Sequence, residues 1–80
     1  MPVSDYETAR AWYEELFGRG PDMLPKEGEA VWRFGDASVY IVVDAARAGS
    51  GLLTIAIDGA DPERRVVRDP DGNSLQLFGT

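Results

Sequence analysis

The residues of this chain that could do chemistry are few, and the two most versatile types are missing. Among its 80 residues there is no His and no Cys, so it has no imidazole base, no thiolate nucleophile and no thiolate metal ligand. Asp69 and Asp71, followed by Gly72, match part of a calcium loop. Such a loop needs further oxygen ligands and a closing Glu at set spacing; these are absent, and a turn explains the segment better. Arg64, Arg65 and Arg68 form the only basic cluster, which Arg33 can join across a sheet. The cluster suits an anionic ligand; the plainer reading is a solvated strand face balancing Asp61, Glu63 and Asp69. Trp32, Phe34 and Tyr40 suit a concave face that stacks on a flat aromatic ligand, with Met23 and Leu24 as a lid. The competing reading makes these rings core, packed under a helix or across a subunit interface. Ser4, Ser38, Ser50 and Ser74 have no basic partner beside them, and the only Lys is Lys26. No constellation for nucleophilic or acid–base catalysis emerges. The expectation is that the chain is not an enzyme.

Composition sets the frame. A chain of 80 residues makes one small domain, burying roughly 60% of its unfolded surface. Its 44% apolar content is that of a globular protein. With no Cys to cross-link it, packing alone must hold it. The formal charge of −6 disfavours nucleic acid and anionic membranes as partners. No apolar run reaches the length of a membrane span. Met1-Pro2-Val3-Ser4-Asp5 lacks the basic and apolar regions of a signal peptide. A soluble cytoplasmic protein is expected.

The elements that must position any site read as follows. Ser4 and Glu7 have capping-box spacing. Tyr6, Ala9, Tyr13, Leu16 and Phe17 recur at helical steps, with Trp12 beside the stripe and Glu7, Arg10, Glu14 and Glu15 on the wet face. The pattern predicts a helix over 5–17, stopped by Gly18, Gly20 and Pro21. Residues 19–28 read as an ordered loop whose Met23-Leu24 pair packs over something. In 29–34, Ala30, Trp32 and Phe34 share one face; 38–43 is apolar on both faces and reads as a central strand. Residues 45–50 form a small-residue connection and 52–57 another strand. Residues 58–62 turn, and 64–68 and 74–78 form a closing hairpin around Pro70 and Gly72-Asn73. No internal repeat is evident. The fold class is α+β: one N-terminal helix on a mostly antiparallel sheet of about five strands.

Four segments together carry a family resemblance. They are the helix closing on Leu16-Phe17-Gly18, then Trp32-Arg33-Phe34-Gly35-Asp36, then Gly51 through Asp58, and finally Asp69-Pro70-Asp71-Gly72-Asn73. In this order they resemble the glyoxalase/bleomycin-resistance/dioxygenase (vicinal oxygen chelate) superfamily. The resemblance implies a reduced βαβββ-type domain over residues 1–80, related to folds whose paired modules enclose a cavity and hold a divalent metal with His and Glu. It also marks departures. Only Met1-Pro2-Val3 precedes the helix, so a full first strand and its ligand are missing, and no second helix follows Asp58. Where the family places a His and a Glu, this chain has Leu52 and Gln76. No metal and no cofactor are therefore expected.

Two function classes remain. The first is a non-catalytic scaffold, a minimised or designed form of the fold or a naturally short relative. It is favoured because trimming removes walls of the cavity. The alternative is a small-molecule binder like the family's drug-sequestering members, enclosing an aromatic ligand against Trp32, Phe34 and Tyr40. A sheet apolar on both faces, with one helix to cover it, also implies a symmetric homodimer. Its interface would be rich in Trp32, Phe34 and Tyr40. The rival is a monomer in which Met23 and Leu24 fold over the open face.

Overall fold

Asp5 makes the first structural decision. Its backbone is extended and its carboxylate accepts from the Thr8 N–H at 3.3 Å, which caps helix α1 (Tyr6–Phe17). Gly18 ends the helix in the left-handed conformation, its N–H reaching the Glu14 carbonyl at 2.8 Å. The capping box expected of Ser4 does not form. Asp5 is an equally good cap one residue nearer the stripe, which leaves Ser4 free to bond elsewhere: its N–H and hydroxyl both donate to Asp71, at 3.1 and 2.5 Å.

The computed structural model describes residues 1–57 and 65–79. Around α1 stand β1 (Pro2–Val3), β2 (Glu29–Phe34), β3 (Ala37–Val43), β4 (Leu52–Ile57), β5 (Arg65–Arg68) and β6 (Ser74–Gly79). They form two three-stranded sheets, ordered β1-β3-β2 and β4-β6-β5. β1 runs parallel to β3 and β2 antiparallel to it; β4 likewise runs parallel to β6 and β5 antiparallel to it. The fold class is α+β as read, but with six strands in two mixed sheets instead of about five in one. The difference begins at β1: Pro2 and Val3 do form a strand, pairing with Val42 and Val43. The matching topology is also a repeat that the sequence hides. The first half spends 25 residues (4–28) between its first and second strands, the second half seven (58–64). The expected turn at 58–62, the expected absence of a second helix, and Arg64 all lie outside the described residues.

Strand alternation sorts the side chains. Ala9 and Tyr13 of α1 are buried with Val3, Ala30, Trp32, Val39, Ile41, Ile55, Leu75 and Leu77 as one core. Trp32 is fully buried, 5.7 Å from the Tyr13 ring and 5.6 Å from Phe17; Phe34 meets Phe17 edge-on at 4.8 Å. The Trp32 indole N–H donates to the Arg19 carbonyl at 3.0 Å. Loop 19–28 is ordered along the outer edge of β2: Met23 bridges to Val31, and Asp22 accepts from Arg19 and from the Arg33 N–H. It is no cover, however, since Met23 and Leu24 are 43% and 56% exposed. No helix among the described residues is long and apolar enough to cross a membrane.

Buried and exposed strand positions should respond differently to truncation. Ile41→Ala should cost about 2–5 kcal/mol in urea unfolding, whereas Leu52→Ala should stay within about 0.5 kcal/mol. Equal losses would mean that the assignment of faces is wrong.

Candidate functional site

The turn between β5 and β6 is built on buried polar groups. Asp69 is nearly and Asn73 fully buried. The Asp69 N–H donates to the Asn73 carbonyl at 3.0 Å, and Gly72, at φ 95°, sends its N–H to the Asp69 carbonyl at 2.9 Å. Each Asp69 carboxylate oxygen is doubly engaged. Oδ1 accepts the backbone N–H of Asp71 at 3.0 Å and of Asn73 at 2.9 Å. Oδ2 accepts the Tyr13 hydroxyl and the Asn73 Nδ2, each at 2.7 Å. Asn73 Nδ2 also donates to the Pro2 carbonyl at 2.8 Å, and its Oδ1 accepts the Gly51 N–H at 2.6 Å. The turn thus ties α1, β1, β4 and β6 together.

This cluster works as a clamp between elements. Its carboxylate oxygens are filled by protein donors, which answers the calcium-loop reading. No group of three or more His, Cys, Asp or Glu suited to a metal occurs among the described residues. Burial first, and then the Asp69 hydrogen bond and charge, push the Tyr13 hydroxyl far above the usual tyrosine range. The proton stays where the clamp needs it. The connection through 45–50 is small for a related reason. A Cβ at Gly51 would lie 2.5 Å from Met1 Sδ and 2.8 Å from Asn73 Oδ1, and one at Gly49 would collide with the Asp71 carbonyl.

Open surface lies on the other side of the strands. The β4-β6-β5 register places Leu52, Ser74 and Arg68 in one row across the sheet and Thr54, Gln76 and Val66 in the next. This face is opposite buried Ile55, Leu75 and Leu77. Leu52 is 74% and Val66 54% exposed. The Thr54 hydroxyl lies 3.4 Å from the Gln76 amide oxygen. On β2 and β3 the corresponding face carries Val31, Tyr40 and Val42 with Glu29 and Arg33. A hydrogen bond with Glu29, then desolvation, raises the Tyr40 hydroxyl pKa.

The expected aromatic wall is therefore not assembled. Trp32 pairs with Val39 and faces α1, as does Phe34, while Tyr40 pairs with Val31 and faces away, 39% exposed. Met23 bridges to the β2 edge at Val31, and Leu24 lines an open hollow with Tyr6 and Lys26 beside the start of α1. Leu52 and Gln76, by contrast, do come to the same face. Leu52 offers no lone pair, Gln76 only a neutral amide, and Pro2 and Val3 of β1 no side-chain donor atom. The residues present do not fit a divalent cation. Sequence reading treated Asp69 and Asn73 as turn residues and missed the clamp. The available signal was Tyr13, whose hydroxyl, at the centre of an apolar stripe, needed a buried partner.

No protein-family model matches the sequence, and no curated protein matches it. Among solved structures, the chain is similar to a glyoxalase/bleomycin resistance protein from Catenulispora acidiphila DSM 44928, with a TM-score of 0.86 at 24% identity, covering 100% of this chain and 93% of that one. The chain has the glyoxalase/bleomycin-resistance fold.

Tyr13→Phe should cost about 1–3 kcal/mol, because it removes one donor from a buried carboxylate. Since the folded-state pKa of Tyr13 is raised, its contribution is complete below the unfolded value of about 10 and is lost as pH rises beyond it. The alkaline fall in stability should therefore be shallower in Tyr13→Phe, by urea unfolding at stepped pH. Titration with Zn²⁺, Mn²⁺ or Ni²⁺ should leave the melting temperature unchanged. Stabilisation by about 2.7 kcal/mol, as expected at 100 times a dissociation constant, and lost in Gln76→Ala, would overturn the donor argument.

Proposed function

We propose that the chain is a non-catalytic, metal-independent binding domain that holds a small, flat, apolar or aromatic molecule against the open face of β4, β6 and β5. One observation carries this reading: Leu52 and Val66 stand largely exposed on a face where Ala56 and the neutral Thr54–Gln76 pair complete an apolar surface with polar handles. Single exposed aliphatic residues are ordinary. Here the two share one face of the sheet, Leu52 on β4 and Val66 one row away on β5, and that face also carries both positions matching the family's metal ligands. The argument for a bare scaffold rested on missing cavity walls, and the similarity over 93% of a solved chain weakens it, because that chain keeps the fold at nearly this length. That protein's description as a bleomycin resistance protein is in keeping with binding without chemistry.

A second copy of the chain as cover for the open faces is the other reading. It is favoured by Tyr40, Val43, Leu52 and Val66, all more than a third exposed. A symmetric interface would then use Leu52, Val66 and Tyr40, and not Trp32 or Phe34, which the chain already buries or half-buries under its own helix.

Amide chemical shifts test the first reading better than tryptophan fluorescence, since Trp32 is buried on the helix side. A panel of flat aromatic compounds should include members that shift the amides of 52–56, 66–68 and 74–78 saturably at micromolar concentration, and Leu52→Glu should abolish the shifts. A flat response across the panel would favour the scaffold. Sedimentation equilibrium over a hundredfold concentration range addresses the second reading. A single 8.7 kDa species throughout would remove the dimer.

A further inference from the structure

Resting on that reading, we infer that the ligand is a monoanion: a planar apolar body, about the size of a fused bicyclic arene, whose carboxylate pairs with Arg68. The chain carries 14 acidic residues. Yet the described residues of the open β4-β6-β5 face include no carboxylate, and Arg68 is their only formal charge. Arg68 is exposed, and its side chain has no hydrogen-bond or ion-pair partner among the described residues. Three other guanidinium groups are paired with acids: Arg10 with Glu14, Arg19 with Asp22, and Arg47 lies 3.9 Å from Asp44; Arg65 is exposed like Arg68 but lies on the other face of β5. The acids nearest to Arg68 in sequence are already engaged. Asp69 is filled by Tyr13, Asp71 and Asn73, and Asp71 receives both donors of Ser4. The guanidinium is thus left to an outside anion, for which its planar fork is suited.

The rows across the sheet supply the shape. Leu52, Ser74 and Arg68 occupy adjacent positions on three neighbouring strands, so Leu52 and Arg68 lie about 10 Å apart at the backbone. Ser74, between them, is small and leaves a seat for a ring. A carboxylate at Arg68 directs the ring over Ser74 towards Leu52, flanked by Val66 and the Gln76 amide. Arg65 pairs with Leu77 and lies on the other face of β5. The net charge of −6 opposes anion approach only weakly, because its distant contributions are screened beyond about 8 Å at physiological salt.

The experiment compares 2-naphthoate, the neutral 2-naphthamide and the cationic 2-naphthylmethylamine by amide chemical shifts on the intact chain. The naphthoate should bind at least about fivefold more tightly than the amide, with the amine weakest. Arg68→Gln should bring naphthoate down to the amide's affinity and leave the amide's own affinity unchanged. Added salt should narrow the preference, and Arg65→Gln should change nothing. Arg68→Gln should melt like the parent, because the side chain is exposed and unpaired. Equal binding of acid and amide by the parent, or a preference that survives Arg68→Gln, overturns the charge inference and leaves the binding face standing. Shifts by none of the three compounds on this face overturn both.

Discussion

A single buried carboxylate organises this molecule. Burying an ionised group is costly unless hydrogen bonds replace its hydration, and Asp69 has four donors in place. Between them the four donors serve three structural tasks. The Tyr13 hydroxyl fixes the roll of α1 over the strands. The Asp71 and Asn73 N–H groups shape the turn. The Asn73 amide, held in place by Asp69, reaches on to the Pro2 carbonyl and the Gly51 N–H, so the starts of β1 and β4 are set by the same charge. In a chain with no disulfide and two separate small sheets, such a network couples parts that a thin core would hold only loosely. Satisfaction is complete: no buried side-chain nitrogen or oxygen among the described residues lacks a partner.

What could be read from the sequence was local. The α1 stripe and the Pro70–Asn73 turn are determined by neighbours in the chain, and both were legible. β1 was not, because two residues have no periodicity and their partners, Val42 and Val43, lie some forty positions away. The division into two sheets is nonlocal for the same reason. Ser4 looked like a cap because its spacing to Glu7 is right, but nothing local reveals that Asp71 will come within reach of its hydroxyl.

The candidate site failed at one particular step, the register between β2 and β3. Alternation correctly put Ala30, Trp32 and Phe34 on one face and separated Tyr40 from Val39 and Ile41. It could not say which β3 set shares the side of Trp32. Opposite Trp32 stands Val39, so the aliphatic set turns inward and Tyr40 outward. One residue of slip would have placed Tyr40 beside Trp32 and made the expected aromatic wall. The sequence holds both arrangements, and the helix aromatics Tyr13 and Phe17, which need the indole beneath them, select one.

The same logic separates stability from recognition in the other sheet. Asn73 immediately precedes β6, and Ser74 is tied to the Gly51 carbonyl at 2.9 Å, so the clamp sets where β6 begins relative to β4. From that starting point the odd positions Leu75 and Leu77 are committed to the core and the even positions Ser74 and Gln76 to the open face. Residues on the open face can then change with little effect on packing. Leu52 brings no lone pair to this face and Gln76 only a neutral amide. A shared fold fixes where a site can be, not what it does. In this chain the clamp holds the strands, and Leu52, Val66, Gln76 and Arg68 stand on the face where we propose that a ligand binds.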